Sequence, residues 1–265
     1  MPLTETPTPT PTLTVRSLLV WGLLAGLVGG LLAFGFASAF GEPAVERAIA
    51  LEESAGGHSH GADEGGEDAG HSHGEEAAAE EEPVTRAFQA TGGLGIGAVA
   101  YGLGLGGLFA IAFAFAYGRI GRLSPRGTAL ALAGIGYTAV VVVPFLTYPA
   151  NPPAVGQEST IGERTALYFA VIGLSLVAAV LAVAVANRLT PKLGGWSAGV
   201  LAALGYVVLV TLVATLLPTF QEVPEGFPGD LLWEFRIASL GTSAVLWAGI
   251  AVVFGVLLHR STAKR

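Results

Sequence analysis

Four of the five histidines in this chain of 265 residues lie in one short stretch. The string Gly-His-Ser-His-Gly occurs twice there, at 57–61 and at 70–74. Neutral imidazole is a good ligand for zinc, cobalt, nickel and copper(II), and carboxylates can complete the shell. In an extended chain, His-x-His places both rings on one side, so two pairs can supply four nitrogens. The candidate metal ligands are therefore His58, His60, His71 and His73.

Acidic residues surround these histidines and add a negative potential that concentrates cations. They are Glu52, Glu53, Asp63, Glu64, Glu67, Asp68, Glu75 and Glu76. The duplicated string argues against an accidental polar linker and predicts binding of a divalent metal ion. The spacing does not select the metal, because such sites bind copper(II) most strongly. Metal affinity should fall below about pH 6, since histidine protonates near pH ~6.5.

Six long apolar runs lie before and after the histidine-rich stretch and must form the structure that holds it. Hydrophobic residues make up 52% of the chain and charged residues only 12%, against about 25% charged in soluble domains. Each run exceeds the ~20 residues that cross a ~30 Å hydrocarbon core as a helix. The runs cover roughly 17–40, 88–117, 127–149, 165–187, 195–218 and 236–258.

The expected fold class is therefore all-α, a polytopic membrane helix bundle of about six transmembrane helices with a long disordered outer loop. Residues 1–16 are expected to be a disordered cytoplasmic tail, and 17–40 the first transmembrane helix. The acidic, histidine-rich outer loop is expected over 41–87, a five-helix transmembrane bundle over 88–258, and a short cytoplasmic tail over 259–265.

Basic residues set the expected orientation. With the N-terminus inside, most of the 13 lysines and arginines fall on inner segments, as the positive-inside rule requires. The exceptions, on outer loops, are Arg47, Arg86, Arg164 and Arg236. The prediction is a multi-pass protein of the plasma membrane with both termini cytoplasmic and the histidine-rich loop outside.

The first apolar run has two interpretations. It ends in Ala37-Ser38-Ala39, which resembles a signal-peptidase site. It is also longer than a usual signal core and carries Gly22, Gly26 and Gly30 on one helical stripe, where another helix can approach closely. A retained helix is the favoured interpretation, and cleavage stays open. Gly93 and Gly97, then Gly102 and Gly106, repeat the same spacing in the second run.

Several classes of function are excluded by what the sequence lacks. There is no cysteine, hence no disulfide, thiolate metal site or cysteine nucleophile. There is no phosphate-binding loop, no H-E-x-x-H zinc-protease motif and no basic nucleic-acid footprint. The Gly102-x-Gly104-x-x-Gly107 string lies inside an apolar run, which favours helix packing over dinucleotide binding. An enzyme and a nucleic-acid partner are therefore not expected.

A path for ions would have to use uncharged groups, because no Asp, Glu or His lies within the apolar runs. Prolines at 144–153 and 218–224 remove backbone donors and leave carbonyls unpaired. Such irregular backbone is tolerated at membrane depth only when it is buried or lines a cavity. The candidate path-lining residues beside these prolines are Thr147, Tyr148, Asn151 and Gln221.

The similar proline-rich endings, each followed by an acid and an arginine, also permit two interpretations. They fit three helical hairpins in one orientation, as in transporters with parallel repeats. They fit equally well with prolines that end helices and arginines that anchor at the membrane interface.

The order of these features resembles the CbtA family of probable cobalt transporter subunits. The similarity is carried by His58–His73 after a first helix, by Pro144–Pro153, by Leu217-Pro218 and by Phe235–Trp247 in the last helix. It implies cobalt uptake linked to cobalamin supply, with a small CbtB-like membrane partner subunit. Thr219 stands where the resemblance leads us to expect a histidine. The family is commonly described with five spans, whereas six apolar runs are counted here.

These observations favour a membrane subunit of a divalent-metal uptake system whose external loop captures the ion. Cobalt is the favoured ion, and nickel or zinc stay open. The alternative function is a membrane metal sensor or receptor that binds ions and moves none. The absence of acidic residues within the apolar runs supports that alternative, because ion-coupled transporters usually bury ionisable groups there.

Overall fold

The computed structural model describes residues 14–56 and 85–263, and every regular element in these two ranges is helical. Five helical stretches are long and apolar enough to cross a membrane. In chain order the elements are α1 (Val15–Phe36), a π turn (Ala37–Gly41), α2 (Glu42–Gly56), α3 (Arg86–Phe88), a π turn (Gln89–Gly93), α4 (Leu94–Ala116), α5 (Pro125–Tyr137), a π turn (Thr138–Val142), α6 (Val143–Thr147), a 3₁₀ turn (Glu158–Thr160), α7 (Ile161–Leu216) and α8 (Gly229–Ala263).

The longest helix, α7, is two membrane helices joined by a break. Its 56 residues would span roughly 84 Å if straight, far more than a hydrocarbon core of about 30 Å. Gly194 interrupts it with φ 78° and ψ 158°, a conformation that glycine adopts at little cost. The hydroxyls of Ser175 and Tyr206 lie 2.7 Å apart, so the two halves fold back on each other. Five apolar helices thus make six crossings, as the apolar runs predict.

Two helices carry a proline shortly after a π turn. Pro43 follows the π turn Ala37–Gly41, and Pro144 follows the π turn Thr138–Val142. Proline lacks an N–H, and its ring collides with the carbonyl of the residue four positions earlier. The wider π turn gives that carbonyl room. Both helices therefore continue past a residue that normally ends them.

The first helix extends further than the expected boundary at residue 40. It continues through α2 to Gly56, so the segment expected to be loop from residue 41 begins as helix. Ala44 and Ala48 are fully buried there against Leu231 at the start of α8. This burial stabilises a segment whose sequence is too polar to indicate a helix core. Residues 57–84 of the expected loop lie outside the described residues, as do the four candidate histidine ligands. At the far end the loop was expected to reach residue 87, whereas α3 already begins at Arg86.

Glycines hold α1 against α4 at very short distance. A Cβ at Gly22 would lie 2.4 Å from the carbonyl oxygen of Gly106, and one at Gly26 would lie 2.1 Å from that of Gly102. These clashes are with backbone, so only glycine fits, and the predicted close approach of the stripe is confirmed. Gly97, expected to pack in the same way, faces nothing within 4 Å.

The remaining core lies between α1, α4, α5 and α8. Phe109 and Phe113 of α4 make edge-to-face contacts with Phe254 of α8, at ring distances of 5.4 Å and 5.0 Å. Such pairs add to the burial of their rings. The two halves of α7 stand outside this core and pack on α6 and the π turn before it. Helix α8 packs on α1 and α5.

Candidate functional site

Two adjoining cavities lie at the end of the bundle that carries residues 148–160 and 217–228, here called the proline end. The entry cavity measures about 640 Å³. One wall comes from α2 and the others from the two proline-containing loops. Its lining residues include Leu51, Glu52, Ser54, Pro152, Gly156, Gln157, Arg164, Glu225 and Pro228.

The inner cavity lies deeper, between α6, α7 and α8, and measures about 520 Å³. Its polar lining consists of hydroxyl and amide groups with a single guanidinium, and its lining residues include no carboxylate. Neutral oxygens of this kind can replace part of the hydration shell of a small cation. The polar lining residues are Tyr148, Asn151, Arg164, Thr165, Tyr168, Ser239 and Ser243.

The structure brings together two of the four path-lining residues predicted from sequence. Tyr148 and Asn151 both line the inner cavity. Thr147 lines a separate apolar cavity of about 110 Å³, and its hydroxyl donates to the Val143 carbonyl at 3.1 Å. Gln221 is exposed and lines neither of the two adjoining cavities. A one-residue step along a helix turns a side chain by about 100°, which separates Thr147 from Tyr148.

An ion pair lies at the boundary of the two cavities, with Arg164 in the lining of both and its partner Glu222 in the lining of neither. Val155 and Arg164 line both of them, so these residues form the partition. Arg164 Nη1 donates to Glu222 Oε2, and the Thr160 hydroxyl donates to Glu222 Oε1. The Glu222 side chain is only 5% exposed. Its carboxylate is compensated at this position by the positive charge of Arg164, the Thr160 hydroxyl and a hydrogen bond from the Gln157 backbone.

These contacts lower the pKa of Glu222. The hydrogen bond from Thr160 is the largest cause, burial opposes it, and the positive charge of Arg164 adds to the lowering. Hydrogen bonds and opposite charges both favour the ionised carboxylate. Glu222 therefore stays ionised through the neutral pH range, where a cation would meet it as a carboxylate.

The lowered pKa predicts how stability depends on pH. The contribution of the carboxylate is fully present above its ordinary pKa of 4.5 and is lost as the pH falls through the lower folded value. Glu222→Gln should therefore lower the melting temperature of detergent-purified protein at pH 7, and the difference from the unsubstituted protein should shrink below pH 4.5. A difference that grew on acidification would contradict the lowered pKa.

Further contacts fasten the loops at the proline end. Arg236 donates from Nε to the Ala150 carbonyl at 3.3 Å and from Nη2 to Asn151 Oδ1 at 3.1 Å. The Tyr148 hydroxyl donates to the Pro218 carbonyl at 3.0 Å. These bonds hold the segment that borders the inner cavity against α8 and the 217–228 loop.

Two further ion pairs fix α2 and α3 at this end. Arg47 pairs with Glu234 of α8, and Arg86 pairs with Glu42. The sequence pattern fits the outer arginines either as interface anchors or as part of a repeat, and it singles out neither Thr160 nor Glu222. The available signal is weak, because Glu222 is one of four acids in the segment 219–235, which is expected on the same side as Arg164. No local sequence pattern can show that two residues 58 positions apart form an ion pair.

Within residues 14–56 and 85–263, no group of three or more His, Asp or Glu side chains could hold a metal ion. The predicted histidine ligands lie outside these ranges.

Six apolar crossings with glycine-packed interfaces and cavities at one end define a multi-pass membrane protein. The family model described as CbtA, probable cobalt transporter subunit, matches residues 15–259. The chain belongs to the CbtA family, and the resemblance seen in the sequence is confirmed. Membership implies a system of more than one component, with cobalt as the transported ion and a role that is not enzymatic. No curated protein and no solved structure matches the chain.

Proposed function

We propose that this chain is the membrane subunit of a divalent-metal uptake system, with cobalt as its principal substrate and nickel or zinc as alternatives. In this proposal the histidine-rich loop captures the ion outside the cell, and the entry and inner cavities lead it into the bundle. One observation carries the proposal: α2, which forms a wall of the entry cavity, leads directly into the histidine segment.

One end of the histidine segment is attached at the entry cavity, and the other end is attached at the start of α2. Leu51, Glu52 and Ser54 line the cavity, and His58 follows the end of α2 by two residues. At the other end of the segment, Arg86 pairs with Glu42 at the start of α2. Ligands tethered in this way raise the local concentration of metal at the entrance without forming the passage.

The proposed topology places the proline end outside and both termini in the cytoplasm. The opposite end carries Arg119, Arg122 and Arg126, and basic residues concentrate on the cytoplasmic side of plasma-membrane proteins. Helix α1 is proposed to be retained, because its glycines pack directly on α4. A small CbtB-like membrane subunit is the proposed partner, and a link to cobalamin supply follows from the family resemblance.

Cellular accumulation of radiolabelled cobalt, measured with and without the gene under metal limitation, tests the proposal. We expect saturable accumulation that depends on the gene. Accumulation of cobalt, nickel and zinc that is unchanged by the gene would overturn the proposal. Metal binding by the purified protein with no flux into liposomes, even together with the partner subunit, would instead favour the sensor or receptor.

Removing the four histidines should weaken uptake mainly when metal is scarce. With His58, His60, His71 and His73 all changed to alanine, capture is lost while the passage remains, so the half-saturating cobalt concentration rises and the maximal rate stays largely intact. Initial uptake rates over a series of cobalt concentrations measure both quantities. Ser59→Ala with Ser72→Ala, in the same two strings, is the matched control. Equal loss at every concentration in an inserted protein would place the loop within the passage.

A further inference from the structure

The boundary between the two cavities has a charged residue, Arg164, for which the proposed function gives no role. Arg164 and Val155 are the residues that both cavities share, and Arg164 is held there by Glu222. An ion that moves from the entry cavity to the inner cavity must therefore pass the Arg164 guanidinium, which repels a divalent cation. Glu222 lines neither cavity, and its carboxylate, 5% exposed, is paired with that guanidinium.

We propose that Glu222 is the cation-binding carboxylate of this passage and that Arg164 occupies it when no cation is present. The inference rests on the proposed uptake function and adds a binding site to it. A divalent cation and the guanidinium compete for the same carboxylate. Binding of the cation displaces Arg164, which removes the positive charge from the partition and opens the way to the inner cavity.

The surroundings of Glu222 provide the oxygen ligands that such a cation needs. The Thr160 hydroxyl donates to Oε1, and its oxygen lies 3.0 Å from the Gln157 carbonyl oxygen. A carboxylate, a hydroxyl and a carbonyl within one cluster are hard oxygen donors, which can be completed by water around a divalent ion. The set is small, so it binds an ion weakly enough to release it.

The backbone leaves space for the exchange. Gly156 passes over the pair with φ 135°, where a Cβ would lie 3.3 Å from Arg164 Nη1 and 3.6 Å from Glu222 Oε2. Side chains rarely adopt that φ, so the position favours glycine and leaves the face of the pair uncovered. The Arg164 side chain is 28% exposed and borders two cavities, so a displaced guanidinium can reach water.

Electrostatics favours exchange over simple loss of the pair. A buried carboxylate with no partner is strongly destabilising, whereas one partner can replace another with little net cost. A dication carries twice the charge of the guanidinium that it replaces. Sodium and potassium carry no more charge than Arg164, so competition with the arginine discriminates against monovalent ions.

A series of four variants, assayed for initial cobalt uptake in cells that also carry the partner subunit, tests this site. Glu222→Gln should lower the maximal rate at least about tenfold, the scale of effect seen when metal-site ligation is weakened. Arg164→Gln removes the competitor and should lower the half-saturating concentration severalfold. Glu163→Gln, an exposed acid next to Arg164, carries the same chemical change and should behave like the unsubstituted protein.

The fourth variant, Arg164→Gln with Glu222→Gln, distinguishes a cation-binding role of Glu222 from a purely structural role of the ion pair. The double variant leaves no unpaired charge, so its melting temperature should recover relative to Glu222→Gln, while uptake stays at least about tenfold low. Uptake that recovered together with stability would show that the pair only fastens two loops and would overturn the inference. The same double variant decides the matter if Glu222→Gln alone does not fold.

The inference and the proposed function fail in different ways. If the unsubstituted chain gives no accumulation of metal, the uptake function is wrong, and the Glu222 site, which rests on it, is wrong as well. If the unsubstituted chain accumulates cobalt and Glu222→Gln accumulates it at the same maximal rate, the uptake function stands and the Glu222 site is wrong.

Discussion

Replacing Gly26 with valine should prevent accumulation of folded protein in the membrane. A Cβ at Gly26 would lie 2.1 Å from the Gly102 carbonyl oxygen, 2.9 Å from its carbon and 3.1 Å from the Gly106 Cα. All three atoms are backbone, so no side chain can turn away, and α1 and α4 must separate along their whole interface. Overpacking a close interface costs about 3 kcal/mol, a large part of the stability of an ordinary domain.

Gly35→Val is the matched control, because Gly35 lies on the same helix and a Cβ there would meet nothing within 4 Å. Both changes add the same atoms to α1, so any difference between them reflects packing against α4. The yield of monodisperse protein after detergent extraction and its melting temperature are the measurements. Equal yields and melting temperatures for the two variants would show that α1 and α4 do not pack as described.

Replacing Ser243 with phenylalanine should abolish cobalt uptake and leave the protein folded. Ser243 lies on α8 and lines the inner cavity, whose volume of about 520 Å³ accepts the ring without displacing backbone. An ion that must cross this cavity then meets an apolar ring in place of a hydroxyl, and desolvation without compensating ligands is costly. We expect a loss of at least about a hundredfold in initial uptake rate, equivalent to roughly 2.7 kcal/mol in the barrier.

Two controls separate blockage of the passage from other causes. Ser243→Ala removes the hydroxyl and keeps the space, so it should retain most of the uptake. Thr138→Phe adds a ring to a different cavity, of about 330 Å³ between α5 and the two halves of α7, and should also retain it. Loss of uptake in folded Thr138→Phe, with uptake preserved in Ser243→Phe, would move the passage to that second cavity.

Much of the fold follows from local sequence. A helix that crosses a membrane must satisfy the hydrogen bonds of its backbone internally and place about 20 apolar residues in lipid. Such a helix can therefore be recognised from one continuous apolar stretch of sequence. The six apolar runs accordingly correspond to helices in the structure. Glycines at four-residue spacing share one face of a helix for the same local reason, which is why Gly22 and Gly26 could be identified as contact positions.

The candidate site could be predicted only in part. Tyr148 and Asn151 could be proposed from the sequence because they follow a proline that disrupts a helix. Disrupted backbone at membrane depth is typical of cavities. Thr147 and Gln221 satisfied the same criterion and lie elsewhere. The direction of a side chain at the end of a helix depends on where the helix stops and on what the following loop contacts, and neither is encoded in spacing.

The sequence by itself determined the helical class and the six apolar runs, because these depend on residue types within a short window, and the order of its motifs indicated the family. The histidine metal ligands stay a prediction. Only the tertiary structure decided that α2 joins the wall of the entry cavity, that a break at Gly194 joins the fourth and fifth runs, and that Arg164 meets Glu222. The physical reason is distance along the chain. Glu222 and Arg164 are 58 residues apart, and a charge selects its partner by position in space, which is fixed only after the helices that carry both have packed.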